Sequence, residues 1–116
     1  MTVEQAKEMI KTTSGLVILD VRNYTEFNSG HIEGARCIPL YTLQQNLSKL
    51  NPQSQILVYC AKGSRSLQAA NILVNSGFQH VYNMIGGIEA WKKANNPVVM
   101  SLIAKHQTSY DIAKMR

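Results

Sequence analysis

Residues 56–66 read Ile-Leu-Val-Tyr-Cys-Ala-Lys-Gly-Ser-Arg-Ser, a short apolar run that leads into a cysteine and a polar loop. The apolar run is typical of a buried strand. Apolar side chains recur at helical spacing after Ser66, at Leu67, Ala70, Ile72, Leu73 and Val74. We therefore predict a strand, a six-residue loop over 60–65 and a helix from Ser66. This order places Cys60 at the carboxyl end of a strand, the edge of an α/β sheet where ligands bind.

The loop has the composition of an anion site built around Cys60. Two cations, a glycine and two serines follow the cysteine: Lys62, Arg65, Gly63, Ser64 and Ser66. A helix N-terminus and nearby cations lower the pKa of a thiol and favour the reactive thiolate. The glycine allows a positive φ, which helps backbone N–H groups turn inward, and the serine hydroxyls can donate to the same anion or cap the helix. The alternative, a buried and inert cysteine, leaves the glycine and both cations without a role.

The rest of the chain alternates between helical and strand patterns. Thr2 with Gln5 predicts a capping box, and Asn23 with Glu26 predicts a second helix start. The predicted helices cover 3–12, 23–30, 40–50, 66–76 and 88–94, and the predicted strands cover 16–19, 36–38, 56–59 and 80–82. Such alternation indicates an α/β fold with a mostly parallel central sheet and helices on both faces.

The chain has 116 residues, of which 45% are hydrophobic, as expected for one globular domain. No apolar run approaches the roughly 20 residues that span a bilayer, and residues 1–5 do not resemble a signal peptide. We therefore expect a cytoplasmic protein that does not associate with membranes. The net charge is +5, but the basic residues are scattered, which argues against nucleic acid binding and favours the approach of small anions.

Four motifs, in this order, resemble the rhodanese or thiosulfate sulfurtransferase family over about residues 3–97. The motifs are Leu19-Asp20-Val21-Arg22 with Glu26-Phe27, Gly30-His31-Ile32-Glu33-Gly34-Ala35 with Ile38-Pro39, Val58 through Ser66, and Gly77-Phe78 with Gly86-Gly87-Ile88-Glu89-Ala90-Trp91. The resemblance implies a rhodanese-like three-layer fold and a domain over 1–97. Residues 98–116 form an extension with no assigned role. A helix, packing on the domain, a dimer contact and the start of a further region all remain open for it, and the oligomeric state is not indicated.

The resemblance also implies a mechanism. Cys60 takes sulfur from a donor, becomes a persulfide and passes the sulfur to a thiol or to cyanide, with Arg65 as the second catalytic residue. The backbone from Ala61 through Ser66 would hold the terminal sulfur, while Lys62 and Arg65 would orient an anionic donor such as thiosulfate. Neither a metal nor an organic cofactor is required.

Two other functions compete with this interpretation. Related phosphatases and arsenate reductases have one more residue between cysteine and arginine, whereas four residues separate Cys60 and Arg65 here, which favours sulfur transfer. A relay module that exchanges sulfur with a protein donor or acceptor, with little thiosulfate activity, remains open.

Other polar residues have more ordinary interpretations. Asp20 follows the first predicted strand and could bind donors, orient Arg65 or a loop N–H, or cap the next helix. Arg22 and Glu26 are four residues apart and predict an ion pair, and His31 is interpreted as a structural turn residue.

The second cysteine is predicted to be structural. Cys37 falls in a short strand and should face the core, with a resolving thiol for Cys60 as the alternative. No disulfide is predicted, since the chain shows no secretion signal.

Overall fold

A computed structural model describes residues 1–100 of the chain. Four parallel strands form one sheet in the order β2-β1-β3-β4. They are β1 (Val17–Asp20), β2 (Arg36–Cys37), β3 (Gln55–Tyr59) and β4 (His80–Asn83). Since all four run in the same direction, their carboxyl ends share one edge of the sheet, and Cys60 follows β3 at that edge.

Helices cover both faces of this sheet. They are α1 (Val3–Thr12), α2 (Tyr24–Ser29), α3 (Leu40–Leu43), α4 (Ser64–Asn75) and α5 (Gly87–Lys93), with a 3₁₀ helix over Gln44–Lys49. Alternate residues of β3 point to opposite faces. Ile56 and Val58 pack in the core with α3 and α4, whereas Leu57 and Tyr59 pack in the core with α1 and α5. The predicted three-layer α/β fold is therefore confirmed.

Local capping signals place two helix starts as predicted. Thr2 and Gln5 form a complete capping box, and so do Asn23 and Glu26. Each side chain satisfies a backbone N–H that the first turn of a helix leaves without a partner.

Two predicted elements differ from the structure in type or by more than one residue at an end. Helix α4 begins at Ser64 and not at Ser66, because the carbonyl of Gly63 already accepts a hydrogen bond from the N–H of Leu67 at 3.1 Å. The loop between β3 and α4 is therefore four residues long, Cys60–Gly63. The helix predicted over 40–50 is α-helical for one turn and continues as the 3₁₀ helix.

The chain packs against the domain slightly beyond the predicted boundary at residue 97. Val99 forms an antiparallel bridge with His31, with N–O distances of 2.8 and 2.9 Å, and the indole of Trp91 donates to the carbonyl of Pro97 at 2.8 Å. Residues 101–116 lie outside the described part of the chain, so the helix considered for them stays a prediction. Within residues 1–100 no helix has the length and apolar content needed to cross a membrane.

Candidate active site

The Cys60 sulfur lies in a ring of hydrogen-bond donors. Sγ accepts from the backbone N–H of Gly63 at 3.1 Å and from that of Ser66 at 3.3 Å. The hydroxyl of Ser66 lies 3.3 Å from the same sulfur. The thiol is 1% exposed, so these groups take the place of water around it. Such a ring of N–H groups stabilises a sulfur anion.

The pKa of the Cys60 thiol lies below its ordinary value. Burial acts in the opposite direction, because it penalises the charged form. Hydrogen bonds from the Ser66 hydroxyl and from the N–H groups of Ser66, Gly63 and Lys62 outweigh that penalty. The site therefore favours the thiolate, the nucleophilic form of cysteine.

The Ser66 hydroxyl can follow the protonation state of the cysteine. Its oxygen lies 3.3 Å from Sγ and 3.1 Å from the carbonyl oxygen of Gly63. A hydroxyl has one proton to donate. With a neutral thiol, the S–H of Cys60 donates to Ser66 and the serine donates to Gly63. With a thiolate, the serine proton turns to the sulfur.

Helix α5 orients the first two peptides of the loop. The N–H of Ile88 donates to the carbonyl of Cys60 at 2.9 Å, and the N–H of Glu89 donates to the carbonyl of Ala61 at 3.1 Å. A trans peptide directs its N–H opposite to its carbonyl. The bonds to α5 thus leave the N–H of Lys62 on the side of the sulfur, where it helps to lower the pKa of Cys60.

Helix α5 can lie this close to the loop because residue 87 is a glycine. Its motif was identified in the sequence, but no role was predicted for it. A Cβ added to Gly87 would collide with the carbonyl groups of both Cys60 and Ala61. Gly87 also has a φ of +62°, which L side chains rarely adopt. The sequence signal for this contact is the pair Gly86-Gly87, because glycine allows two backbones to approach closely.

Arg65 is bound by a carboxylate from α2. Its two terminal nitrogens lie 2.8 and 3.0 Å from the two oxygens of Glu26, a bidentate pair. The Arg65 hydrogen bond holds the pKa of Glu26 at about 2, although burial opposes the shift. The predicted ion pair between Arg22 and Glu26 is therefore wrong, because each residue has another partner.

Asp20 does not make two of the contacts predicted for it, the one with Arg65 or a loop N–H and the cap of α2. It is fully buried, and its oxygens accept hydrogen bonds from the backbone N–H, Nε and Nη2 of Arg22, the shortest at 2.7 Å. Asn23, and not Asp20, caps α2, and Glu26, and not Asp20, binds Arg65. The same Arg22 nitrogen donates to the carbonyl of Gly30 at 2.7 Å, so Asp20 fixes the turn around α2.

The remaining residues of the predicted loop over 60–65 differ in their exposure to solvent. Lys62 and Ser64 are exposed, while Ala61 and Gly63 are half-buried. Two ion pairs are found among residues 1–100, and Lys62 belongs to neither. Lys62 is thus a cation of the loop that is free to meet a solute.

The second cysteine and the turn histidine have structural surroundings. Burial and the charge of Asp20 raise the pKa of Cys37 to about 12, so its thiol stays protonated near neutral pH. The ring of His31 stacks on Phe27 at a centroid distance of 3.8 Å, and its Nδ1 lies 2.9 Å from the Phe27 carbonyl oxygen. The contacts of His31 agree with its predicted structural role. Cys37 lies in β2 as predicted, but it is half-buried and is not part of the buried core, so its predicted place facing the core is not confirmed. No cluster of three metal-ligating side chains occurs within residues 1–100.

Known proteins resemble this chain in sequence and in fold. A family model described as rhodanese-like domain matches residues 2–94. The chain is 38% identical over 93 residues to a Coxiella burnetii protein named thiosulfate sulfurtransferase GlpE, covering 80% of this chain and 85% of that protein. A Bacillus subtilis protein named putative sulfur carrier protein YrkF is 33% identical over 91 residues, 78% of this chain and 49% of its own length.

Solved structures agree with the sequence matches. The crystal structure of a rhodanese-related protein from Thermoplasma volcanium has a TM-score of 0.80 at 30% identity, covering 87% of this chain and 97% of that chain. Sequence, fold and the cysteine loop at the sheet edge agree: the chain belongs to the rhodanese-like domain family.

Proposed function

We propose that this protein is a sulfurtransferase that carries sulfane sulfur on Cys60. The observation that carries the proposal is the buried Cys60 sulfur, whose pKa is lowered by the N–H groups and hydroxyl around it. The relative named thiosulfate sulfurtransferase, at 38% identity, supports thiosulfate as a donor. A reducing compartment such as the cytoplasm would keep Cys60 available as a thiol.

The first half of the reaction loads the cysteine. The Cys60 thiolate attacks the outer sulfur of thiosulfate, the S–S bond of the donor breaks, and its electron pair leaves with sulfite. Cys60 then holds a persulfide whose terminal sulfur carries the negative charge. The backbone from Ala61 through Ser66, with the hydroxyl of Ser66, holds that sulfur. The reaction is of the covalent-intermediate kind and needs no further cofactor.

The second half of the reaction removes the sulfur from Cys60. An acceptor thiol attacks the terminal sulfur, the S–S bond to Cys60 breaks, and the electron pair returns to Cys60 as thiolate. The acceptor leaves as a persulfide and keeps the proton that its thiol brought. Cyanide can accept the sulfur in the same way and leave as thiocyanate.

The two cations near the sulfur, Lys62 in the loop and Arg65 in α4, have different tasks. Lys62 is exposed and outside the ion pairs of residues 1–100, so it attracts and orients the anionic donor. Arg65 is held by Glu26 in a bidentate pair, so it positions the start of α4 beside the sulfur and contributes to the positive field there. Asp20 has an indirect role: it fixes Arg22, which in turn binds the carbonyl of Gly30 at the end of α2, and it does not contact the donor.

A phosphatase is less well supported by this geometry. The N–H groups of Gly63 and Ser66 already lie within 3.3 Å of the sulfur. A ring that closes so tightly around one atom suits a single additional sulfur better than a tetrahedral oxyanion.

The experiment is intact mass spectrometry after incubation with thiosulfate, on the native protein and on Cys60→Ser. We expect the native protein to gain one sulfur atom and to lose it when cyanide or a thiol is added. The variant should gain none. An unchanged native mass would contradict the proposal that thiosulfate is a donor, and a gain by the variant would contradict the role of Cys60.

A further inference from the structure

Exposed apolar side chains surround the Cys60 edge of the sheet. Each of the four strands is followed by one: Tyr24 after β1, Tyr41 after β2, Leu67 after β3 and Ile85 after β4. We call these four residues the apolar rim. Because parallel strands end at one edge, the rim lies on the same side of the sheet as the sulfur.

Backbone contacts tie two rim residues directly to the loop. The N–H of Leu67 donates to the carbonyl of Gly63 at 3.1 Å. Gly63 lies beside Gly86, whose nitrogen would be 3.6 Å from a Cβ added to Gly63. Ile85 immediately precedes Gly86. Leu67 and Ile85 therefore flank the loop residue that donates to the sulfur.

The other two rim residues lie on helices that are linked to the loop through α4. Tyr24 opens α2, the helix whose Glu26 binds Arg65. Tyr41 lies on α3, which packs against α4. The rim thus belongs to the elements that build the site.

A small anion or a small thiol does not need these side chains. The Cys60 thiol is 1% exposed, so an acceptor has to approach it from the surrounding surface. Exposed apolar and aromatic residues around such an approach are typical of a protein interaction site. Tyrosine in particular is enriched at interfaces, because it combines a large apolar area with a polar hydroxyl.

One exposed charge of each sign lies beside the loop, and Lys62 is the one that an acidic group of a partner would face. The carboxylates of Asp20 and Glu26 are bound by arginines, whereas Lys62 at the loop is exposed and outside both pairs. Glu89, at the start of α5, is the exposed carboxylate beside the loop on the other side. The whole chain carries a net charge of +5, which adds a longer-range attraction for acidic partners.

We propose that the apolar rim docks a polypeptide acceptor whose cysteine is flanked by apolar side chains and an acidic group. This inference rests on the proposed sulfur transfer and names the acceptor of its second half. The acceptor cysteine thiol attacks the terminal sulfur of the Cys60 persulfide, the S–S bond to Cys60 breaks, and Cys60 leaves as thiolate. The partner's apolar side chains cover Leu67 and Ile85, and its carboxylate faces Lys62.

The experiment uses two short peptides as acceptors with protein loaded by thiosulfate. One has a cysteine between leucine and phenylalanine with an adjacent glutamate, and the other replaces the leucine and phenylalanine by serine. Glutathione is the small reference acceptor. We measure kcat/KM for each and divide the value for each peptide by that for glutathione. We expect the apolar peptide to exceed the serine peptide by about ten-fold, equivalent to about 1.4 kcal/mol.

Leu67→Ser and Val74→Ser form a matched pair of variants. Both residues lie on α4, seven positions apart and so on the same face, and they are 56% and 57% exposed. Val74 lies two turns further from the loop. Leu67→Ser, and Ile85→Ser likewise, should remove most of the preference for the apolar peptide, and Val74→Ser should retain it.

The outcomes separate this proposal from the one on which it rests. Equal use of both peptides by the native protein, or an equal loss of preference in Val74→Ser and Leu67→Ser, would overturn the docking surface while sulfur transfer to glutathione still stood. Absence of any transfer from loaded protein to glutathione would overturn both.

Discussion

Both terminal nitrogens of Arg65 are bound by the carboxylate of Glu26, at 2.8 and 3.0 Å, so the arginine that follows the sulfur loop is held by another helix. An arginine at this position of the motif would be expected to bind an anionic substrate. Here its planar guanidinium already has a planar, bidentate anionic partner. Among the ion pairs of residues 1–100, neither includes Lys62, so this loop cation is available to a donor.

Lys62→Ala should weaken the binding of thiosulfate. We expect its KM to rise about ten-fold with little change in kcat, because a charged hydrogen bond contributes about 1.5–3 kcal/mol. Arg65→Ala should instead lower turnover with thiosulfate and with a persulfide donor, which has no sulfonate oxygens at the transferred sulfur, because it disturbs the loop. Steady-state kinetics with both donors test this, and Lys7→Ala, an exposed lysine on α1, is the control. A selective loss of thiosulfate in Arg65→Ala would show instead that Arg65 binds the donor.

Ser66→Ala should raise the pKa of Cys60. The variant loses a hydroxyl that stabilises the thiolate and keeps the N–H at 3.3 Å, while the small buried side chain leaves the packing almost unchanged. The thiolate then forms at higher pH, so the pH profile of alkylation by iodoacetamide should move upward, and the profile of sulfur transfer should move with it. Ser64→Ala, at an exposed position, is the control. A profile that coincides with that of the native protein would argue against the hydroxyl as a donor to sulfur.

Gly87→Ala should destabilise the protein and slow alkylation of Cys60. The added Cβ meets the carbonyls of Cys60 and Ala61, which forces α5 away from the loop. We expect a loss of about 2–4 kcal/mol in the free energy of unfolding, from overpacking together with a left-handed backbone. Gly15→Ala shares the positive φ, +74° against +62°, but its Cβ meets nothing within 4 Å. The control should therefore lose only about 1–2 kcal/mol and keep its thiol reactivity; an equal effect in both would mean that the close approach of α5 is unimportant.

Glu26→Gln should show a stability loss that depends on pH. The pKa of Glu26 is lowered from 4.5 to about 2 in the folded protein, so its ion pair stabilises the fold above the unfolded value of 4.5. That contribution disappears as the pH falls towards 2. Urea unfolding at near-neutral pH should show a loss of up to about 1 kcal/mol for this partly exposed pair. The difference from the native protein should shrink steadily on acidification, and a difference independent of pH would mean that the glutamine acts through packing alone.

Local patterns predicted most of the fold, because the signals are local in the chain. The capping boxes at Thr2 and Asn23 involve residues three positions apart, and the apolar runs of β1 and β3 are buried on both faces as such runs predict. The position of Cys60 at the sheet edge followed from the same strand-loop-helix pattern.

The partners of the charged residues could not be read from spacing. Arg22 and Glu26 are one helical turn apart in sequence, but Arg22 instead reaches back to Asp20, and Glu26 pairs with Arg65, 39 residues further on. Such choices depend on how α2 and α4 approach each other in three dimensions. The contact of Gly87 with the loop is likewise tertiary, so adjacent glycines in the sequence indicated a close approach without naming its partner.

The hydrogen bonds from α5 to the carbonyls of Cys60 and Ala61 have a consequence for the newly made protein. On the ribosome the cysteine emerges well before the helix that orients its loop, because chains are made from the N-terminus. Until α5 has been synthesised and has docked, the peptides at Cys60 and Ala61 lack the bonds that turn the Lys62 N–H towards the sulfur. The nascent chain therefore lacks the contribution of the Lys62 N–H to a low thiol pKa, and the complete sulfur site forms only when α5 has docked on the loop.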